Sequence, residues 1–267
     1  VIGAGQAGAA VVARLRSGGH AGPITLIGEE PVLPYQRPPL SKGYLLGQMG
    51  ADRLTLRSAE FYAENKITLR LGTAVSAIDR AAQTVTLGGE TIAYDVLVFT
   101  TGSVPRRLPA AIGGDLAGVY TVRNLADVDA ERAEFRPGRR LVIVGGGYIG
   151  LEAAAVAAKL GLDVTVLEMA RRILQRVAAP ETSDYFRALH TAHGVKILEN
   201  TALDRLLGTA GHVTAARLSD GREIPADFVI AGVGILPATA LAEAAGVVIE
   251  NGIRTYAQGR TSDPQIW

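Results

Sequence analysis

The twelve residues LVIVGGGYIGLE, Leu141–Glu152, decide the fold of this chain. They read as a short apolar strand, a glycine turn and the opening of a helix. Gly145, Gly147 and Gly150 hold the GxGxxG spacing. In that pattern the first glycine permits a tight turn and the second lets backbone approach a pyrophosphate. The third lets the helix pack close to its strand. A helix that starts there aims unpaired N–H groups and about half a positive charge at the phosphates. A lone glycine triplet is a weak signal. Here it leads into an alanine-rich helix, Ala153–Lys159, and then a second apolar strand, Val164–Leu167, ending in Glu168. That acid stands eighteen positions after Gly150, where a ribose hydroxyl needs an acceptor. The stretch is therefore read as a dinucleotide turn.

Working outward, the same spacing opens the chain. VIGAGQAG carries Gly3, Gly5 and Gly8, 142 positions ahead of their counterparts. Only Val1 and Ile2 precede this turn, whereas strands usually run about 5–6 residues, so the chain is expected to be clipped at its N-terminus. A helix is predicted from about Gln6 to Arg16, stopped by Gly18-Gly19. Strand Ile24–Ile27 then delivers Glu29 and Glu30, with Glu29 placed as the ribose acid. The repetition continues beyond the glycines. Helix Ser58–Asn65, with Ser58 as N-cap, and strand Ile67–Leu71 match helix Glu181–His193 and strand Val195–Leu198. Gln83–Leu87 and Thr91–Thr100 form a hairpin running into Thr101-Gly102. Val213–Leu218 and Glu223–Ala231 form another, running into Gly232-Val233-Gly234. The fold class is thus α/β: two tandem Rossmann-like units with antiparallel hairpin insertions. Two such units imply two dinucleotides, with transfer between them.

Composition narrows the chemistry. Hydrophobic residues make up 48% and charged ones 20%, as in a soluble globular protein. Glycine is 32 of 267 residues, an excess that falls in turns rather than in a low-complexity run. A net charge of +1 gives no electrostatic argument for nucleic acid. The absence of cysteine excludes disulfides, thiolate metal sites and a redox-active CxxC within these residues. His190 and His193 share a helical face but have no third ligand, so no metal is expected. The longest uncharged run, Phe228–Ala242, is too short for a membrane span and is broken by Gly232, Gly234 and Pro237. A cytoplasmic protein is expected.

One segment fits neither unit's repeat. In LPYQRPPLSKGYL, Leu33–Leu45, three prolines stiffen the chain into extended or turn geometry, laying Arg37 and Lys42 along a rigid arm. Together with VIGAGQAG, YDVLVFTTGSVPRRLP, Leu141–Glu152 and the closing TSDPQI, this arm resembles the FAD-dependent ferredoxin reductases, including the reductase components of aromatic dioxygenases. Apoptosis-inducing factor and rubredoxin reductase are more distant relatives. The resemblance extends over the whole chain. It implies an FAD-binding domain, residues 1–108 and 237–267, incomplete at both ends. An NAD-binding domain, residues 109–236, interrupts it.

Carried over by position, the resemblance puts Gly3, Gly5, Ala7 and Gly8 on the FAD pyrophosphate and Glu29 on its ribose. Arg37, Lys42, Val75, Thr101, Gly102 and Arg123 are further implied FAD contacts. Gly145, Gly147, Tyr148, Ile149 and Gly150 match the NAD phosphate turn, and Glu168 its ribose acid, which favours NADH over NADPH. Val233 and Gly234 belong to the family's GxGxxPN corner, although Ala238 stands where asparagine is usual. Lys42 is implied to reach toward flavin N5 with Glu152 as its partner, and Tyr148 to cover the nicotinamide pocket. The implied reaction passes a hydride from NADH to FAD, then single electrons to a 2Fe–2S ferredoxin of an oxygenase system. Two other readings are an NADH-responsive redox sensor resembling apoptosis-inducing factor, and an incomplete module that holds FAD weakly.

Overall fold

A computed structural model describes residues 1–267. The chain forms two compact units. The first comprises Val1–Gln36, Ala51–Val104 and Leu236–Trp267; the second comprises Arg37–Gly50 and Pro105–Ile235.

In the second unit a five-stranded parallel sheet has the order Lys196–Leu198, Asp163–Leu167, Arg140–Val144, Phe228–Ala231, Val119–Tyr120. Its three inner strands, DVTVL, RLVIV and FVIA, are largely apolar with almost every residue buried, as a parallel sheet covered on both faces requires. Helix Tyr148–Lys159 follows the central strand and turns Leu151, Ala153, Ala154, Val156 and Ala157 inward. Alanine at three of these positions lets the helix axis lie close to the sheet. On the other side Val142, Val144, Leu167 and Val229 pack against Leu206, Val213, Ala216 and Leu218. Each large aliphatic side chain buried there contributes about 1.5–3 kcal/mol of transfer free energy.

The first unit repeats this order in shorter pieces. Strand Ile24–Gly28 pairs in parallel with Ile67–Leu71. Ile2 bridges Ile27 on one side and Phe99 on the other, both in parallel, and Leu97 bridges Ile266. The closing residues complete that edge: Trp267 N–H donates to Leu97 O at 2.9 Å and Phe99 N–H to Trp267 O at 2.7 Å. Ile2, Ile27, Leu97 and Ile266 share one core with Val85, Leu87, Ala242 and Val247. The expected helices form over Gln6–Ser17 and Ala59–Glu64, the latter capped by Ser58, whose hydroxyl accepts from Phe61 N–H. The chain is therefore α/β with two Rossmann-like units, the second inserted into the first.

Three details differ from the sequence reading. Each antiparallel insertion is a three-stranded meander rather than a hairpin: Val75–Asp79, Thr84–Leu87 and Glu90–Ala93 in one unit, and Leu203–Thr209, His212–Leu218 and Glu223–Pro225 in the other. The additional strands, Val75–Asp79 and Leu203–Thr209, are largely solvent-facing, so their sequences lack a strong apolar alternation. The single run expected over Glu223–Ala231 is split, its first three residues antiparallel in the meander and its last four parallel in the core sheet. Finally, the units change over at Val104/Pro105 and Ile235/Leu236, and Arg37–Gly50 clusters with the second unit. Side-chain contacts explain that last point. Tyr44 Oη donates to Asp129 Oδ1 at 2.7 Å, and Arg132 donates to Tyr44 O while lying 4.4 Å over its ring. No helix is long and apolar enough to cross a membrane.

Candidate functional site

The two glycine turns have the same construction. Gly3 and Gly145 adopt φ of +110° and +111°. A Cβ on Gly3 would lie 2.2 Å from Thr100 O, and one on Gly145 would lie 2.5 Å from Gly232 O. Gly8 and Gly150 are equally constrained: a Cβ there would come within 2.1 Å of Gly3 O and 2.2 Å of Gly145 O. These four glycines are demanded by the fold itself. Gly5 and Gly147 are not, since nothing lies within 4 Å of a Cβ at either position. Each is the N-cap of its helix, in extended conformation, and no side chain caps either helix. An open bay therefore faces an uncapped, electropositive helix start in each unit, which is the geometry a pyrophosphate fits. Ala7 lies exposed on the first turn of Gln6–Ser17; Ile149 holds the corresponding position in the second unit, and Tyr148 before it has 55% of its surface exposed.

The acid after each second strand is held differently. Glu168 Oε2 accepts from Gly146 N–H at 2.9 Å and Oε1 from Ala170 N–H at 2.8 Å. The carboxylate is thus oriented across the mouth of the glycine turn, with lone pairs remaining for two hydroxyl donors. Glu29 is exposed, whereas its neighbour Glu30 accepts from Tyr35 Oη at 2.5 Å. The cations near Glu168 are also unequal. Arg172 donates to Ser183 Oγ at 2.6 Å and to Gln175 O at 3.3 Å, while Arg171 is exposed and forms no ion pair.

Arg37–Gly50 brings a cation to the opening of helix Tyr148–Lys159. A short 3-10 helix, Pro38–Ser41, starts on two prolines whose fixed φ suits its tight turn. It delivers Ser41 and Lys42 to Glu152, one turn into the helix. Lys42 Nζ lies 2.8 Å from Glu152 Oε2, and Nζ also donates to Pro38 O at 3.1 Å. Ser41 Oγ donates to the same Oε2 at 2.6 Å. The Lys42 side chain is 50% exposed and that of Glu152 31%. An ion pair so open to solvent contributes about 0–1 kcal/mol to stability, so the fold does not explain its presence. Ser41 was not among the residues singled out from sequence; a serine in a proline-rich loop reads as a turn former until tertiary structure sets it against a residue 111 positions away. Arg37 Nη1 donates to Arg123 O at 2.8 Å, which ties those two residues within the same unit.

The remaining sequence-selected residues sit at backbone corners. Thr101 Oγ1 donates to Ala238 O at 2.9 Å, and Ala238 N–H to Gly102 O at 3.0 Å. The backbone of Ala238 makes both contacts, so asparagine is not required for them. Thr100, which sequence reading passed over, closes the first turn by donating from Oγ1 to Gly3 O at 2.7 Å. Gly234, at φ +102°, follows Val233 and accepts from Arg106 N–H at 2.9 Å. Val75 opens the solvent-facing strand of the first unit's meander and packs against that unit's core.

Known proteins match this chain along its whole length. The family described as pyridine nucleotide-disulphide oxidoreductase matches residues 1–267. A ferredoxin–NAD(P)(+) reductase of a Sphingomonas species is 45% identical over 268 residues, covering 100% of this chain and 64% of that protein. Putidaredoxin reductase of Pseudomonas putida is 43% identical over 271 residues, again with 100% and 64% coverage. The chain thus spans a little under two thirds of the length of either relative. Among solved structures, the covalent putidaredoxin reductase–putidaredoxin complex superposes with a TM-score of 0.95 at 43% identity, over 99% of this chain and 65% of that one. With no cysteine among its 267 residues, this chain carries no thiol for the disulphide chemistry in the family's description. Paired glycine turns, parallel sheets and matching profile nonetheless agree along the whole length: the chain belongs to the pyridine nucleotide-disulphide oxidoreductase family.

Proposed function

We propose that this chain is the dinucleotide-binding part of a flavoprotein reductase. It takes hydride from NADH through FAD and passes single electrons to a 2Fe–2S ferredoxin of an oxygenase system. The observation that carries this reading is the pair of equivalent glycine bays in a chain without thiols. Two bays ask for two dinucleotides, and the lack of cysteine removes the disulfide as the acceptor between them. The named ferredoxin and putidaredoxin reductases among the relatives supply the acceptor class.

In this reading the first unit holds FAD through Gly3, Gly5, Ala7 and Gly8, with Glu29 on the ribose and Thr101, Gly102 and Val75 as further contacts. The family resemblance adds Arg37, Lys42 and Arg123 as further FAD contacts. The second unit holds NADH through Gly145, Gly147, Ile149 and Gly150, with Val233 and Gly234 beside that turn. FAD supplies the one chemical ability that no side chain here has, accepting two electrons together and releasing them singly. The side chains bind, orient and supply charge. Lys42 offers a positive charge where negative charge accumulates during reduction, and Glu152 directs that ammonium. Tyr148, exposed at the helix start, covers the nicotinamide position until NADH displaces it. Such a protein works in the cytoplasm, where NADH turns over.

The test is NADH-driven cytochrome c reduction by the FAD-loaded protein, with and without an added 2Fe–2S ferredoxin. Turnover that depends on the ferredoxin is expected. Equal turnover without it refutes the assignment.

A further inference from the structure

The carboxylate of Glu152 is served by two donors that differ in freedom. Both Ser41 Oγ, at 2.6 Å, and Lys42 Nζ, at 2.8 Å, reach the same oxygen, Oε2. Oε1 accepts no hydrogen bond from the protein. Ser41 is only 5% exposed and ends the proline-started 3-10 helix, so its short side chain has little room to turn. Lys42 is half exposed and sits on a flexible four-carbon stem, with a carbonyl, Pro38 O, as its second partner. One donor is fixed and the other is mobile.

We propose that Ser41 is a positioning residue for electron transfer: it pins Glu152 in place, so that Lys42 can leave the carboxylate and return to one defined position. The inference rests on the reading of Lys42 as the cation beside the flavin. Without Ser41, Lys42 becomes the only donor to Oε2. Each departure of the ammonium would then strip the carboxylate of its last partner, and its torsions would be free to change. Ser41 touches neither nucleotide in this account; it acts through Glu152 alone.

Two measurements on the full-length, FAD-loaded protein test this. The first is anaerobic stopped-flow reduction by NADH together with the flavin midpoint potential, for wild type, Ser41→Ala, Ser41→Thr and Lys42→Ala. Ser41→Ala is expected to slow reduction about five- to tenfold at unchanged NADH affinity, comparable to the net contribution of one hydrogen bond. It should shift the potential in the same direction as Lys42→Ala, and Ser41→Thr, which keeps the hydroxyl, should restore both. In a Glu152→Gln background Ser41→Ala should add no further slowing, because its route of action is already cut. A wild-type rate in Ser41→Ala, or an equal slowing in both backgrounds, overturns the inference. The second measurement is the 15N-resolved ammonium resonance of Lys42 without NADH, expected to be sharp in wild type and broadened in Ser41→Ala. It needs no turnover. If wild-type flavin is not reduced by NADH, the functional reading fails, and an unchanged ammonium resonance still decides separately against Ser41.

Discussion

At the scale of single residues, the proposed determinant of nucleotide preference is Glu168. Its two oxygens accept from Gly146 N–H and Ala170 N–H, which hold the carboxylate at the turn. A 2′-phosphate brought there meets a like charge, which costs several kcal/mol. The neighbouring cations do little to offset this. Arg172 is drawn toward Ser183 and Gln175, leaving Arg171 as the only free guanidinium of the two. Glu168→Gln is therefore expected to lower the NADH-to-NADPH ratio of kcat/KM by at least about tenfold, equivalent to about 1.4 kcal/mol. Some NADH activity should also be lost, because an amide leaves one of the two backbone donors without an acceptor. The measurement is steady-state reduction with each nucleotide; an unaltered ratio sinks the role given to Glu168. The position of Glu168 was legible from spacing alone, since it ends the second strand after a glycine turn. The diversion of Arg172 was not, because it depends on Ser183 being carried back by helix Pro180–Ala192.

At the scale of elements, helix Leu125–Glu131 contains a residue its sequence disguises. Glu131 ends the helix, where an acid ordinarily faces solvent, yet it is fully buried and neither carboxyl oxygen has a partner. Burial, reinforced by the Asp127 carboxylate one turn earlier, pushes the Glu131 carboxyl well above the ordinary range. The folded protein thus favours the protonated acid more than the unfolded chain does. The resulting stability is fully present below the unfolded carboxyl value, about 4.3, and is lost as pH rises through the folded value. Each unit by which the folded value exceeds the unfolded one is worth about 1.4 kcal/mol. Wild type is expected to lose stability on going from pH 5 to pH 8, and Glu131→Gln, which cannot ionise, should show a flatter dependence. Urea unfolding at the two pH values measures this; parallel curves for the two proteins would rule out an ionising Glu131. The helix itself was hard to anticipate for the same physical reason as the buried acid. DVDAE is polar by composition, and only the packing of Val128 and Tyr44 around it shows which face is inside.

At the scale of the whole molecule, one design is used twice, and the duplication was largely readable from sequence because glycine spacing and strand polarity are local signals. What sequence could not supply was long-range: the third strand of each meander, and the membership of Arg37–Gly50 in the second unit. The duplicated turn also allows the two units to be tested separately, because its three glycines serve different ends. Gly3 and Gly145 sit at positive φ against a backbone oxygen, so alanine there should cost at least ~2 kcal/mol of stability in its unit. Gly5 and Gly147 are extended and face open space, so a larger side chain leaves the fold within about 0.5 kcal/mol while filling the phosphate bay. Gly147→Val is therefore expected to keep a normal flavin spectrum and lose reduction by NADH. Gly5→Val should lose bound FAD while NADH still binds, as read by calorimetry. Unfolding curves for both should overlay the wild type. If the two valine variants lose the same nucleotide, or if both keep both, the assignment of one dinucleotide to each bay is wrong.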